Sequence, residues 1–208
     1  MAKKKPNAKS VTTEIVLVLD RSGSMGVIKD DVIGGFNHFL QEQKKLPGKA
    51  NFTLAQFDDI YEVVHEHVAL KGVPELTNDT YQPRATTALL DAIGKTIVKA
   101  DGLKAKQVSF VILTDGMENA SREYNRSQIF DMVKDRTDKG WQFIFLAANQ
   151  DAIQAGSQIA IPQGQSLTFA HSGEGVRAAY GATGQSVGSY RTSGLCSEFS
   201  DSDRDSAK

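Results

Sequence analysis

The 208-residue chain is most informative at first for what it has little of. It has one cysteine, Cys196, so no intrachain disulfide can form, and that cysteine sits in a polar stretch rather than near other metal-ligating side chains. It has no net charge to speak of, with 24 Lys and Arg against 25 Asp and Glu. A chain that binds nucleic acid non-specifically carries a basic excess, so nucleic acid is not an expected partner. It has no apolar run of the length needed to cross a bilayer, so no membrane contact is expected. The basic start Met1-Ala2-Lys3-Lys4-Lys5-Pro6 is followed by no apolar segment and does not read as a secretory signal, which makes a cytoplasmic location the expectation. The Gly-x-x-x-x-Gly-Lys-Ser/Thr loop of nucleotidases is missing, and so is any internal repeat. What remains is an ordinary globular composition, 40% hydrophobic and 24% charged, sized for one domain.

The stretch that organises the rest is Ile15-Val16-Leu17-Val18-Leu19-Asp20-Arg21-Ser22-Gly23-Ser24. Its apolar run reads as a strand buried on both faces, the mark of a parallel sheet. The run ends on a carboxylate, and hydroxyls follow at alternate positions. Alternate side chains leaving a strand can point to one side, so Asp20, Ser22 and Ser24 can converge. Hard oxygens around one point suit Mg2+, with Mn2+ or Ca2+ as alternatives, rather than zinc or copper.

Periodicity supplies the rest of the order. A helix is expected over 26–45, with Val27, Val32, Ile33, Phe36, Phe39 and Leu40 inward and Gly34-Gly35 allowing close approach to the sheet. Strands over 51–57 and 60–70 are joined by Asp58-Asp59, a connection so short that the pair must be antiparallel. His65 and His67 alternate onto one face there; with no third ligand nearby, a solvated edge strand is preferred to a zinc pair. A long loop, 71–84, precedes a helix opened by Ala85-Thr86-Thr87. A buried strand over 107–114 runs into Thr114-Asp115-Gly116. A helix capped by Ser127, with Ile129, Phe130 and Val133 inward, a strand over 141–147, a short helix over 149–160, a strand over 166–169 and a helix over 174–190 follow. Residues 1–13 read as a basic flexible tail, 14–191 as the domain, and 192–208 as a disordered polar tail.

Strands alternating with helices predict an α/β fold: a doubly wound, mostly parallel six-stranded sheet, order 3-2-1-4-5-6, with one antiparallel edge strand and helices on both faces. Ligands bind such sheets beyond the carboxyl ends of the strands, where the order reverses. That reversal lies between the first and fourth strands, which end on Asp20 and Asp115. Two carboxylates there would repel unless a cation lay between them. Singly, Ser22, Ser24, Thr86, Thr87 and Asp115 each have an ordinary explanation as caps or turns. Together at one rim they favour a metal.

These residues also carry a resemblance. Asp20-Arg21-Ser22-Gly23-Ser24 is similar to the Asp-x-Ser-x-Ser motif of von Willebrand factor type A (vWA) domains. Ala85-Thr86-Thr87-Ala88-Leu89-Leu90-Asp91-Ala92-Ile93 resembles the family's Gly-Gly-Thr-x-Leu-x-x-Ala-Ile, with Ala85 and Thr86 in place of the two glycines. Leu113-Thr114-Asp115-Gly116 is similar to its Thr-Asp-Gly, and 149–190 looks like the C-terminal part of bacterial and phage-type members. The resemblance implies a metal-ion-dependent adhesion site (MIDAS) in which Asp20, Ser22, Ser24, Thr87 and Asp115 hold the ion. One position is left open for an Asp or Glu carboxylate of a protein partner. Met25, Gly26, Met117, Glu118 and Asn119 would border it. Family members often work beside a ring-forming ATPase.

The competing classes are a metal-dependent phosphoryl-transfer or hydrolytic enzyme and an RNA-associated protein using the basic N-terminus. Phosphatases of similar topology use Asp-x-Asp, and here the second position is Ser22. No lysine or histidine can be placed at the rim from sequence as acid or base, so a non-enzyme is expected.

Overall fold

The computed structural model describes residues 11–208, so most of the expected N-terminal tail lies outside the described residues. The six strands are β1 (Thr13–Asp20), β2 (Ala50–Phe57), β3 (Tyr61–Ala69), β4 (Gln107–Thr114), β5 (Gln142–Ala147) and β6 (Ser166–Thr168). Their order is β3-β2-β1-β4-β5-β6, with β3 antiparallel to β2 and every other pair parallel. This is the expected α/β arrangement, reversing between β1 and β4. Six helices complete it: α1 (Lys29–Lys45), α2 (Leu89–Gly102), α3 (Arg126–Asp138), α4 (Ala152–Ser157), α5 (Gly173–Ser193) and α6 (Asp201–Ser206).

Strand alternation sorts the core into two layers. Ile15, Leu17 and Leu19 face α1 and α5, packing with Phe36, Phe39, Val176 and Val187. Val16 and Val18 face the opposite layer, with Ile93 and Ile97 of α2 and Ile129 and Val133 of α3. Cutting Phe36 back to alanine in such a core would cost ~3–5 kcal/mol. Covered on both faces, β1 can be apolar at every position, which explains its unbroken run.

Several expectations are corrected. The first helix begins only at Lys29, because Gly23–Ile28 forms a tighter 3-10 turn. Val27, on that turn, is 79% exposed rather than inward. Gly35 allows close approach to α5 rather than to the sheet: a Cβ there would stand 2.3 Å from the Tyr180 ring, whereas Gly34 faces open space. Asn125, not Ser127, caps α3 through a reciprocal box with Gln128, and Phe130 is 38% exposed. A register shift in the β2–β3 pair and a left-handed His67, at φ 52°, interrupt the alternation of β3. His67 is thereby placed against the buried Glu14, with Nδ1 2.8 Å from Oε2.

The C-terminal stretch is the largest correction. Residues 192–208 are folded rather than disordered: Ser200 caps α6, Phe199 and Ala207 are buried, and the Ala170 amide donates to the Ala207 carbonyl at 2.6 Å. Arg204 adds a hydrogen bond of 2.9 Å to the Ser166 carbonyl. Composition hid this, since two small apolar contacts and a capping serine fix an otherwise polar segment.

Candidate metal centre

β1 and β4 run side by side with Leu19 opposite Leu113, so their carboxyl ends deliver Asp20 and Asp115 to one rim. Asp20 is fully buried. Its Oδ1 accepts the Ser22 amide at 2.6 Å and its Oδ2 accepts the Thr114 hydroxyl at 2.5 Å. The turn that follows β1 carries Ser24 back over the strand end, where its hydroxyl donates to Asp115 Oδ1 at 2.6 Å. The Ser22 and Ser24 oxygens are 3.3 Å apart. Thr87 is presented by the loop before α2. Its amide donates to Asn119 Oδ1 at 3.0 Å, and its carbonyl accepts the Asn119 and Ala120 amides. A Cβ at Gly116 would stand 3.0 Å from Thr87 Oγ1 and 3.8 Å from Ser22 Oγ, so both hydroxyls border that glycine. All five residues singled out in the sequence meet at this rim. Thr86 is exposed and lines a neighbouring pocket with Phe57, Asp58 and Asp91, so Thr87 is the threonine that faces the site.

The electrostatics match the geometry. Burial pushes the Asp20 carboxyl up to about 6, the Asp115 charge adds to this, and the Thr114 and Ser22 hydrogen bonds oppose it. A cation at the rim would favour the charged form. The donors present, two carboxylates and three hydroxyls, are all hard oxygens and fit Mg2+, Mn2+ or Ca2+. Among the described residues no cluster of three or more His, Cys, Asp or Glu is placed to hold a metal, so any shell here would draw on hydroxyl oxygens and water beside the two carboxylates.

Four supporting residues carried no signal in the sequence. Tyr81, from the long loop, donates to the Asp20 carbonyl at 2.6 Å, and burial holds its phenol well above its ordinary value. Arg21, inside the motif, turns away from the rim: Nε reaches Asp58 at 3.1 Å and Nη1 reaches Glu62 at 2.7 Å. Burial disfavours charge on Asp58, but the hydrogen bonds from Arg84 and the Ile60 amide, with the Arg21 charge, outweigh it and hold the carboxyl below its usual range. Gln150 donates to the Gly116 carbonyl at 3.0 Å. His171, from the loop between β6 and α5, sets Nε2 2.8 Å from Asp115 Oδ2. The sequence offered no rim histidine, and the structure supplies this one. Topology was the one available hint, because every parallel strand discharges its following loop at the same rim. His171 and the Ser24 hydroxyl both bond Asp115, and among the described residues no serine–histidine hydrogen bond forms a nucleophile–base pair.

No family model matches the chain, and no curated protein matches it. Solved structures do. Proximal thread matrix protein 1 from the mussel byssus, in a form with a zinc-occupied MIDAS motif, aligns at TM-score 0.64 and 13% identity over 86% of this chain and 46% of that one. The vWF domain of the type V pili tip protein Mfa5 from Porphyromonas gingivalis aligns at TM-score 0.64 and 10% identity, over 86% of this chain and 96% of that one. The fold is that of von Willebrand factor type A domains. The pilus adhesin SpaC from Lactobacillus rhamnosus GG shares this vWA fold at TM-score 0.65 and 16% identity, over 86% of this chain and 30% of that one. The chain thus spans a little under half of the mussel protein structures, at 46% and 48%, and nearly all of the Mfa5 domain. The match extends to a mussel protein and so does not single out the expected bacterial or phage type. Two of these structures are pilus proteins, and the expected cytoplasmic location draws no support from them. Among the described residues no helix is long and apolar enough to cross a membrane.

Proposed function

We propose that this vWA-fold chain is a protein-binding module whose contact with its partner depends on a divalent cation held by Asp20, Ser22, Ser24, Thr87 and Asp115. The observation that carries the reading is the convergence itself: two carboxylates from neighbouring strand ends and three hydroxyls from two loops share one rim. A hard dication there supplies a positive centre for an anionic oxygen from outside. Only two of the five residues are charged and the other three are neutral hydroxyls, so the dication is balanced but not over-neutralised and stays electrophilic enough to take a partner's Asp or Glu carboxylate. The same rim offers apolar surface. Met117, next to Gly116, is 71% exposed, and Val27 projects from the turn that holds Ser24. Beside Met117 lies a cleft of about 200 Å3 lined by Leu89, Leu90, Phe145 and Ile159. Small-molecule sites run to about 300–1,000 Å3, so a cleft of this size suits a side chain of a protein partner better than a free metabolite.

The deciding experiment is retention of proteins on the immobilised chain with Mg2+ and with EDTA. The reading expects a partner retained with Mg2+ and released by EDTA. A partner held equally in both would place recognition on another surface. Turnover of phosphate esters without metal-dependent capture would favour the enzymatic reading.

A further inference from the structure

Both carboxylates of the site have both oxygens engaged. Asp20 accepts from the Ser22 amide and the Thr114 hydroxyl. Asp115 accepts from the Ser24 hydroxyl on Oδ1 and from the His171 imidazole on Oδ2. The two outer partners differ in kind. Thr114 belongs to a buried strand, whereas His171 comes from a loop and is 18% exposed at its side chain. That loop is fixed on both sides. Ala170 is tied to Ala207 at 2.6 Å, and Ser172 caps α5 by accepting the Gly175 amide at 3.2 Å. The imidazole is therefore delivered to Asp115 by a braced segment.

We infer that His171 is a positioning residue that confines Asp115 to ligation through one oxygen, and so biases the site toward small octahedral cations, Mg2+ and Mn2+, against Ca2+. The inference rests on the proposed ligand set. Mg2+ demands six ligands in near-octahedral array, whereas Ca2+ takes six to eight and commonly recruits both oxygens of a carboxylate. Here Oδ2 of Asp115 can swing into a shell beside Oδ1 only by turning the carboxylate against the imidazole that orients it. The corresponding oxygen of Asp20 is held by Thr114. Losing a partner that orients a ligand from behind typically costs about 10–100-fold in metal affinity. Glu118, the nearest further carboxylate in sequence, cannot replace the lost oxygen. It accepts the Leu90, Ala120 and Ser121 amides and the Ser121 hydroxyl, at 2.7 to 2.9 Å.

The test is titration calorimetry of the full chain with Mg2+, Mn2+ and Ca2+, for the natural sequence, His171→Ala and His171→Gln, with melting curves in EDTA alongside. His171→Ala is expected to weaken Mg2+ and Mn2+ roughly 10–100-fold. Ca2+ should weaken less, so that the Mg2+/Ca2+ affinity ratio falls by about tenfold. His171→Gln, which keeps an N–H donor, should restore part of the ratio. A loosened loop would weaken all three ions alike, so an unchanged ratio overturns the inference whatever the melting curves show. A natural chain that binds none of the three ions overturns the ligand set itself, a different and separately visible failure.

Discussion

The Thr114 hydroxyl donates to Oδ2 of Asp20 across 2.5 Å, joining the ends of two neighbouring parallel strands at the point where the sheet changes direction. The bond keeps a buried carboxylate aimed along the rim instead of into the core. It also favours the charged form of Asp20, yet burial, with the Asp115 charge, outweighs it and pushes the carboxyl up to about 6, so the carboxylate is costly to keep charged unless a cation is near.

Removing that carboxylate separates metal binding from folding. Asp20→Asn keeps the shape and one acceptor oxygen for the Ser22 amide while deleting the charge, and its NH2 would face the Thr114 hydroxyl, which can turn to accept. Calorimetry should show divalent-ion binding lost, and melting in EDTA should show the fold retained. Retained ion affinity in Asp20→Asn would show that the cation sits elsewhere.

Gly116 is the second test of the cradle. Alanine there would put a Cβ 3.0 Å from Thr87 Oγ1, a distance at which the hydroxyl must move. Gly116→Ala should reduce ion affinity by about tenfold, an effect like that of disturbing a ligand's support. Its effect on melting in EDTA should be small. Equal affinity in the variant would mean that Thr87 does not ligate.

Ala85 stands in the left-handed region at φ 55° and accepts the Gly23 amide at 3.1 Å. A residue with a Cβ is disfavoured there by about 1–2 kcal/mol, offset in part by the greater chain entropy of glycine. Ala85→Gly should therefore raise stability by roughly 0.5–1 kcal/mol in denaturant melts. A loss of stability would show that the methyl group contributes packing that outweighs the strain.

Asp91 gives the pH test. Burial works against its charge, but amides of Arg122, Tyr124 and Glu123 donate to it at 2.8 to 2.9 Å and hold its pKa below the usual value. With the folded pKa depressed, the stabilisation is complete above the unfolded value, about 3.9, and is lost as pH falls through the lower folded pKa. Asp91→Asn should destabilise the protein near neutral pH by about 1–3 kcal/mol and flatten the acid limb of its stability curve. An acid limb identical to that of the natural chain would defeat the assignment.

What could be read in advance follows from how local each signal was. The apolar run of β1 and its hard-oxygen ending sit within ten residues, and the β4 ending repeats the pattern, so strand order and Asp20, Ser22, Ser24 and Asp115 were within reach, while Thr87 was singled out only by the vWA resemblance. Val27 and Phe130 were misplaced because periodicity assumes a continuous α-helix and one uniform buried stripe. A 3-10 turn changes the angle per residue before α1, and α3 covers the sheet along a narrower face. His171 was out of reach for another reason. Its partner lies 56 positions away, and nothing in Ala170-His171-Ser172 distinguishes a rim residue from a solvent-facing one. The fold of 192–208 was hidden similarly, since its anchors are single contacts made at long range.

The bond between Ala170 and Ala207 has a practical consequence. The last residue of the sequence, Lys208, adjoins a segment pinned one position from the imidazole that grips Asp115. A handle fused there for purification or surface capture would pull on the rim itself.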